Sequence, residues 1–255
     1  MSKIINLGNN VDRGFFSYVY TTFSTAYACN LKGEPFYIDW SSSGHYRSAE
    51  GLNPFEYFFK QPFFETPPQG SEVFSEYGLY LSTDVVPEDR DKWNETLTDF
   101  LILKDNIKEE IENYYNDNFL GKKILCVHKR GSDHAYHMPI QPNAEYFAAI
   151  DLEMSNNHYD KIFLATDEEK SVEDFKNKYG DKLICLDNIR TNNDVAIFKK
   201  GVDKYRHTRE VIMDAYLLSK GDKLIKTKST LTTIVCYINK NLEYISIDNH
   251  LEFRT

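Results

Sequence analysis

The densest group of chemically capable side chains lies in one short stretch, His128-Lys129-Arg130-Gly131-Ser132-Asp133-His134, with His137 three residues further on. Lys129, Arg130, Asp133, His134 and His137 all follow an apolar run, Lys122 to His128, that reads as a strand. A guanidinium donates two parallel hydrogen bonds and cannot lose its proton. Arg130 therefore suits the negative charge that develops on a departing nucleotide diphosphate, with no metal required. The plainer role is a solvated loop in which Arg130 pairs with Asp133.

Three further groups have residue types suited to a site. Thr227-Lys228-Ser229-Thr230-Leu231-Thr232-Thr233 falls between an expected strand and an expected helix. Hydroxyls and backbone N–H groups there can hold a phosphate, and Ser229 or Thr230 can also simply cap the helix. Asp167-Glu168-Glu169 follows the run Phe163-Leu164-Ala165-Thr166. The two glutamates suit the first turn of the next helix, where acids complement the helix dipole, so Asp167 is expected to hydrogen-bond rather than to bind a metal. Asp214 is one acid in an otherwise apolar helical pattern, Val211 to Leu218, and faces either solvent or a buried partner.

The elements that must position these groups alternate. A strand at Lys3 to Leu7, a helix at Phe15 to Cys29 and a strand at Phe36 to Ile38 open the chain, followed by an irregular, aromatic-rich region from Ser41 to Asp99. A helix is expected from Asp105 to Asn116. Beyond it, strands are expected at 122–128, 161–166, 182–186, 223–225 and 244–247. Helices are expected at 143–154, 168–179, 211–219 and 231–239. Short continuous apolar strands separated by helices predict an α/β fold with parallel sheets covered on both faces. Ligands of such sheets sit at the carboxyl ends of the strands, which selects 128–137, 167–168, 187–188 and 226–230. The expected division is 1–118 and 119–255.

Bulk properties exclude several classes. With 255 residues and 41% hydrophobic content, the chain can fill a sizeable core. A net charge of −9 argues against a nucleic-acid-binding surface, whose affinity comes from neutralised phosphates. Cys29, Cys126, Cys185 and Cys236 are too scattered for a zinc site or a disulfide framework. No apolar run is long enough to span a bilayer and no leader is visible, so a cytoplasmic location is expected. No cofactor motif is present.

In this order the segments resemble the fucosyltransferase superfamily, most closely its α-1,6 group and the bacterial enzymes that modify chitooligosaccharides, and more distantly the α-1,2- and protein O-fucosyltransferases. The likeness is carried by His128, Arg130 and Asp133 in a His-x-Arg-x-x-Asp pattern, by His137-Met138-Pro139-Ile140 with Glu145-Tyr146, by Leu164-Ala165-Thr166-Asp167, by Asp214 to Ser219, and by Thr227-Lys228-Ser229-Thr230. The resemblance implies a GT-B-like fold of two Rossmann-like lobes, with an acceptor-side N-terminal lobe and a C-terminal lobe that binds a nucleotide sugar. It further implies an inverting, metal-independent transfer from a GDP-sugar, GDP-fucose first, to a glycan hydroxyl. Arg130 would then meet the β-phosphate, with His128, Asp167, Asp214, Ser229 and Thr230 on the donor side. The pattern departs in two places: Gly131 stands where many relatives have a second arginine, and a shortened loop leaves Asp133, His134 and His137 as alternative general bases. Use of another GDP-sugar, and a glycan- or nucleotide-binding module without turnover, are the competing readings.

Overall fold

The computed structural model describes residues 2–6, 14–42, 53–74, 85, 89–131, 140–191, 197 and 201–248. Asp133, His134 and His137 lie outside the described residues, as do Gly8-Asn9-Asn10 of the first loop.

The first sheet is parallel with order β2-β1-β3, formed by β1 (Lys3–Asn6), β2 (Phe36–Asp39) and β3 (Glu72–Phe74). Helix α1 (Phe15–Leu31) joins β1 to β2 and is buried on nearly every face, so its sequence is apolar and hydroxyl-bearing all round rather than amphipathic. Its Thr21 and Thr25 hydroxyls donate to the carbonyls of Ser17 and Thr21, which lets them lie in an apolar core. Asn53 ties β2 to the short helix α2 (Phe55–Phe58): its Oδ1 accepts the Trp40 N–H at 2.9 Å and its Nδ2 donates to the Ile38 carbonyl at 2.6 Å. Two elements here carry no clear sequence signal. Strand β3 has only three residues, with Val73 61% exposed, and α3 (Arg90–Phe100) buries only Thr96, Leu97 and Phe100.

Helix α4 (Asp105–Asn118) leads into the second sheet, which is wholly parallel with order β6-β5-β4-β7-β8. Its strands are β4 (Ile124–Lys129), β5 (Lys161–Thr166), β6 (Leu183–Ile184), β7 (Lys223–Lys226) and β8 (Glu243–Ser246). The chain lays down β4, moves outward through β5 and β6, then returns to place β7 and β8 on the other side of β4. The topological switch point is therefore between β4 and β7, where such sheets open a crevice for ligands.

Alternate residues of the strands pack two cores. Leu125, Val127, Ile162, Leu164 and Ile225 meet Tyr146 and Ile150 of α5 (Asn143–Asn156) and Phe175 of α6 (Glu169–Tyr179). Cys126, Phe163 and Leu224 join a larger core with α7 (Lys204–Ser219), α8 (Thr230–Ile238) and the aromatic cluster around α1. Apolar packing thus runs without a break from the first sheet to the second. Polar ties cross it: Asn94 Nδ2 donates to the carbonyls of Tyr237 and Ile238, each at 2.9 Å, and Arg90 Nη2 donates to Leu242 O at 2.7 Å.

Several boundaries shift by one or two residues, and the shifts at α7 and β6 have local reasons. Helix α7 begins at Lys204 rather than Val211, because Asp203 caps it by accepting the Arg206 N–H at 3.0 Å and an Arg206–Glu210 pair supports its polar first turns. Strand β6 stops at Ile184. Beyond it the chain turns into a loop whose Leu186 carbonyl accepts from Arg190. Among the described residues, no helix is long and apolar enough to cross a membrane.

Candidate functional site

Arg130 and Gly131 leave the carboxyl end of β4 beside Asp167, which leaves β5. Strand register sets the neighbourhood, since Lys129 is paired with Thr166. Asp167 acts with both oxygens: Oδ1 accepts the Gly131 N–H at 2.9 Å, and Oδ2 lies 3.5 Å from Arg130 Nη1. The guanidinium stays 30% exposed, oriented by a carboxylate yet reachable from solvent. The expected hydrogen-bonding role of Asp167 is what the geometry provides. Glu168 is the residue before α6 and Glu169 its first residue, as the dipole argument requires. Among the described residues, no group of three or more His, Cys, Asp or Glu side chains is placed to hold a metal ion.

On the opposite side of β4, register pairs His128 with Lys226 of β7, and both side chains are buried. Lys226 Nζ sits 5.0 Å from the centre of the Tyr244 ring. Beyond β7, Ser229 is the N-cap of α8: its Oγ accepts the Thr232 N–H at 3.1 Å. Thr227 O accepts the Thr232 hydroxyl at 3.1 Å, and the Lys228 N–H donates to Asp248. The capping role of Ser229 is thus real. It also fixes the positive end of the α8 dipole, with Thr230 as its first residue, at the switch point beside β4. Strand register places Ser229 and Thr230 beyond β7, which neighbours β4 on the side opposite β5.

Asp214 is buried in α7, not solvent-facing. Its Oδ2 accepts from Asn188 Nδ2 at 2.8 Å, while Oδ1 is buried with no hydrogen-bond partner among the described residues. Burial pushes its carboxyl up to about 8; Glu210 and Asp167 act in the same direction, against Arg190 and Asn188. The loop after β6 is shaped around it. Arg190, 7% exposed, donates to Leu186 O and lies 3.7 Å from Glu169, while Glu210 accepts the Ile189 N–H at 2.8 Å.

Two residues of this neighbourhood escape sequence reasoning. Arg190 follows a weak strand and carries no motif. His207, in the second turn of α7, lies within a run of exposed polar residues and looks like helix surface. The fold instead buries most of it, and burial lowers its imidazole below its ordinary value; Arg130 adds to that shift, while Glu210 and Asp167 oppose it. His207 therefore lies within electrostatic reach of the Arg130–Asp167 pair. The structure brings Arg130, Asp167, Asp214, Arg190 and His207 to one end of the β4–β5–β6 edge.

Two parallel sheets, the second with these groups at its carboxyl edge, make this a GT-B-like α/β fold. Among solved structures, the chain is similar to the NodZ alpha-1,6-fucosyltransferase co-crystallized with GDP, with a TM-score of 0.61 and 15% identity over 98% of this chain and 96% of that one. The same values hold for the fucosyltransferase NodZ from Bradyrhizobium. A variant of Arabidopsis thaliana FUT1 in complex with GDP matches with a TM-score of 0.57 and 10% identity over 96% of this chain and 70% of that one. At such identities the likeness is one of fold, and the fold is that of fucosyltransferases. No family model matches the sequence, and no curated protein matches it significantly.

Proposed function

We propose that the chain is an inverting, metal-independent glycosyltransferase that moves a sugar from a GDP-sugar, GDP-fucose first, to a glycan hydroxyl. The observation that carries this reading is Arg130, oriented by Asp167 at the carboxyl end of β4 next to the switch point, in a fold shared with enzymes crystallised with GDP. A cation already held by a fixed carboxylate needs little reorganisation when a diphosphate leaves, which is where electrostatic catalysis gains most.

In this reading residues 119–255 hold the donor and residues 1–118 face the acceptor. Arg130 meets the β-phosphate, the α8 N-terminus with Ser229 and Thr230 faces the diphosphate, and His128 lines the same strand end. Asp214, whose Oδ1 lacks a hydrogen bond among the described residues, receives N–H donors from the base. The acceptor hydroxyl gives its proton to one of Asp133, His134 and His137 and attacks the anomeric carbon from the far face. The bond from that carbon to the β-phosphate oxygen breaks, and GDP leaves with the electron pair. A reducing, cytoplasmic setting suits a chain with four scattered cysteines.

Calorimetry with GDP, UDP and dTDP tests the donor site. The expected result is selective GDP binding that weakens roughly 10- to 100-fold in Arg130→Ala, the scale of one lost charge-assisted contact. Binding unchanged by Arg130→Ala would end this placement. Gly131, which stands where many members of the resembled superfamily have a second arginine, favours a second reading as a binding module without turnover. Consumption of GDP-fucose or another GDP-sugar above background, lost in Arg130→Ala, rejects that alternative and identifies the donor.

A further inference from the structure

The position of Gly131 has a steric cause. A Cβ built there would lie 2.1 Å from both Cδ and Oε1 of Glu168, far inside contact distance. Glu168 is not free to swing away at no cost. Its Oε2 accepts the Ser171 hydroxyl at 2.6 Å and forms an ion pair with Lys129, whose side chain is only 3% exposed. Lys129 is the last residue of β4 and points to the α5–α6 side, with Nζ 6.0 Å from the centre of the Tyr146 ring. A buried ammonium needs its counter-charge, so Lys129 holds Glu168 where it is. Adjacent carboxylates after β5 therefore clamp adjacent residues after β4: Asp167 takes the Arg130 guanidinium and the Gly131 N–H, and Glu168 fills the volume that any side chain at 131 would need.

We infer that Glu168, locked by Lys129 and Ser171, is the positioning residue that sets the backbone at Gly131 and thereby aims Arg130 at the donor diphosphate. The inference rests on the donor reading proposed above and adds to it: Glu168 occupies the space that any side chain at 131 would need, so the Arg130 guanidinium is held in a fixed direction. A side chain at 131 must expel Glu168, which leaves Lys129 unpaired and pulls the Gly131 N–H from Asp167.

The test uses the full chain, GDP as the probe, and two backgrounds: the natural sequence and Lys129→Met/Glu168→Ala, which removes the pin without leaving a lone buried charge. Gly131→Ala is made in each. GDP affinity is measured by calorimetry well below each melting temperature, and melting temperatures are recorded separately. The inference expects Gly131→Ala to weaken GDP binding tenfold or more in the natural background and less than twofold in the other. Equal losses in both backgrounds, or a lowered melting temperature with affinity intact, would overturn it, since a merely structural contact gives that pattern. If the natural chain binds no GDP at all, the donor reading fails instead. Coupling between the substitutions in melting temperature then still decides whether Glu168 packs against position 131.

Discussion

Asp214→Asn isolates a buried carboxyl whose charge the fold disfavours. The carboxyl has an ordinary value of 3.8 and is pushed up to about 8 in the fold, chiefly by burial. Between these values the folded chain holds a proton that the unfolded chain has released. The folded state binds more protons, so the stability linked to Asp214 is greatest below about pH 4, falls as pH rises towards 8, and is flat above. At about 1.4 kcal/mol per pH unit, the interval from pH 5 to pH 7.5 carries about 3 kcal/mol. The Asp214→Asn variant would have no such slope while keeping an oxygen for the Asn188 amide.

The measurement is the difference in melting temperature between Asp214→Asn and the natural chain, taken from thermal melts at several values from pH 5 to pH 8.5. Groups that titrate alike in both proteins cancel in that difference. The variant should gain on the natural chain by about 3 °C per kcal/mol, hence on the order of 10 °C between pH 5 and pH 7.5. Arg190 is the force that could defeat the reasoning, because its guanidinium favours the ionised form. A difference that stays flat across the range would show that Arg190 offsets burial and that Asp214 is a carboxylate in the fold.

Three further outcomes are expected. If donor N–H groups require Asp214 ionised, GDP affinity should rise with pH by up to tenfold per unit between pH 6 and about 8, then level off; calorimetry in buffers of different ionisation enthalpy should register the released proton. Ser229→Ala removes the α8 cap and should cost about 1 kcal/mol of stability, a fall of about 3 °C in melting temperature, together with weaker GDP binding. Asn94→Ala strips the donor from two carbonyls at the other end of α8 and should cost about 1–3 kcal/mol by denaturant titration, with GDP affinity of the folded protein unchanged.

The parts of this fold legible in the sequence are those whose signal is local. Strands β4 and β5 are continuous apolar runs because helices cover both faces, and α8 announces itself by a hydroxyl cap followed by Leu231 to Ile238. The hydrogen-bonding role of Asp167 and the place of Arg130 as a strand-end cation are readable for the same reason: each is fixed by its position after one strand. What is illegible depends on contacts between distant segments. The polar first turns of α7 carry no periodic signal, so His207 passes for surface. Asp214 can be assigned to solvent or interior only once α7 is set against β4 and β5. The glycine at 131 reads as a deletion of charge, because its neighbour Glu168 belongs to another strand end.

Burial explains why three carboxylates at one sheet edge can do different work. Asp167, 15% exposed, sits against a guanidinium and a backbone N–H, both of which favour its charge. Glu168 is offset by a lysine more deeply buried than itself, so its charge is spent within the protein and contributes little repulsion to an incoming diphosphate. Among the described residues Asp214 accepts a hydrogen bond from the Asn188 amide, and burial outweighs the pull of Arg190, so its carboxyl holds its proton more tightly than usual. In the proposed donor reading, a diphosphate at this edge would meet Arg130 with the charge of Glu168 already offset by Lys129. In that reading, a base presenting N–H groups to Asp214 would supply contacts that favour its ionisation. In the proposed reading the donor would supply Asp214 Oδ1 with the hydrogen bond it lacks among the described residues.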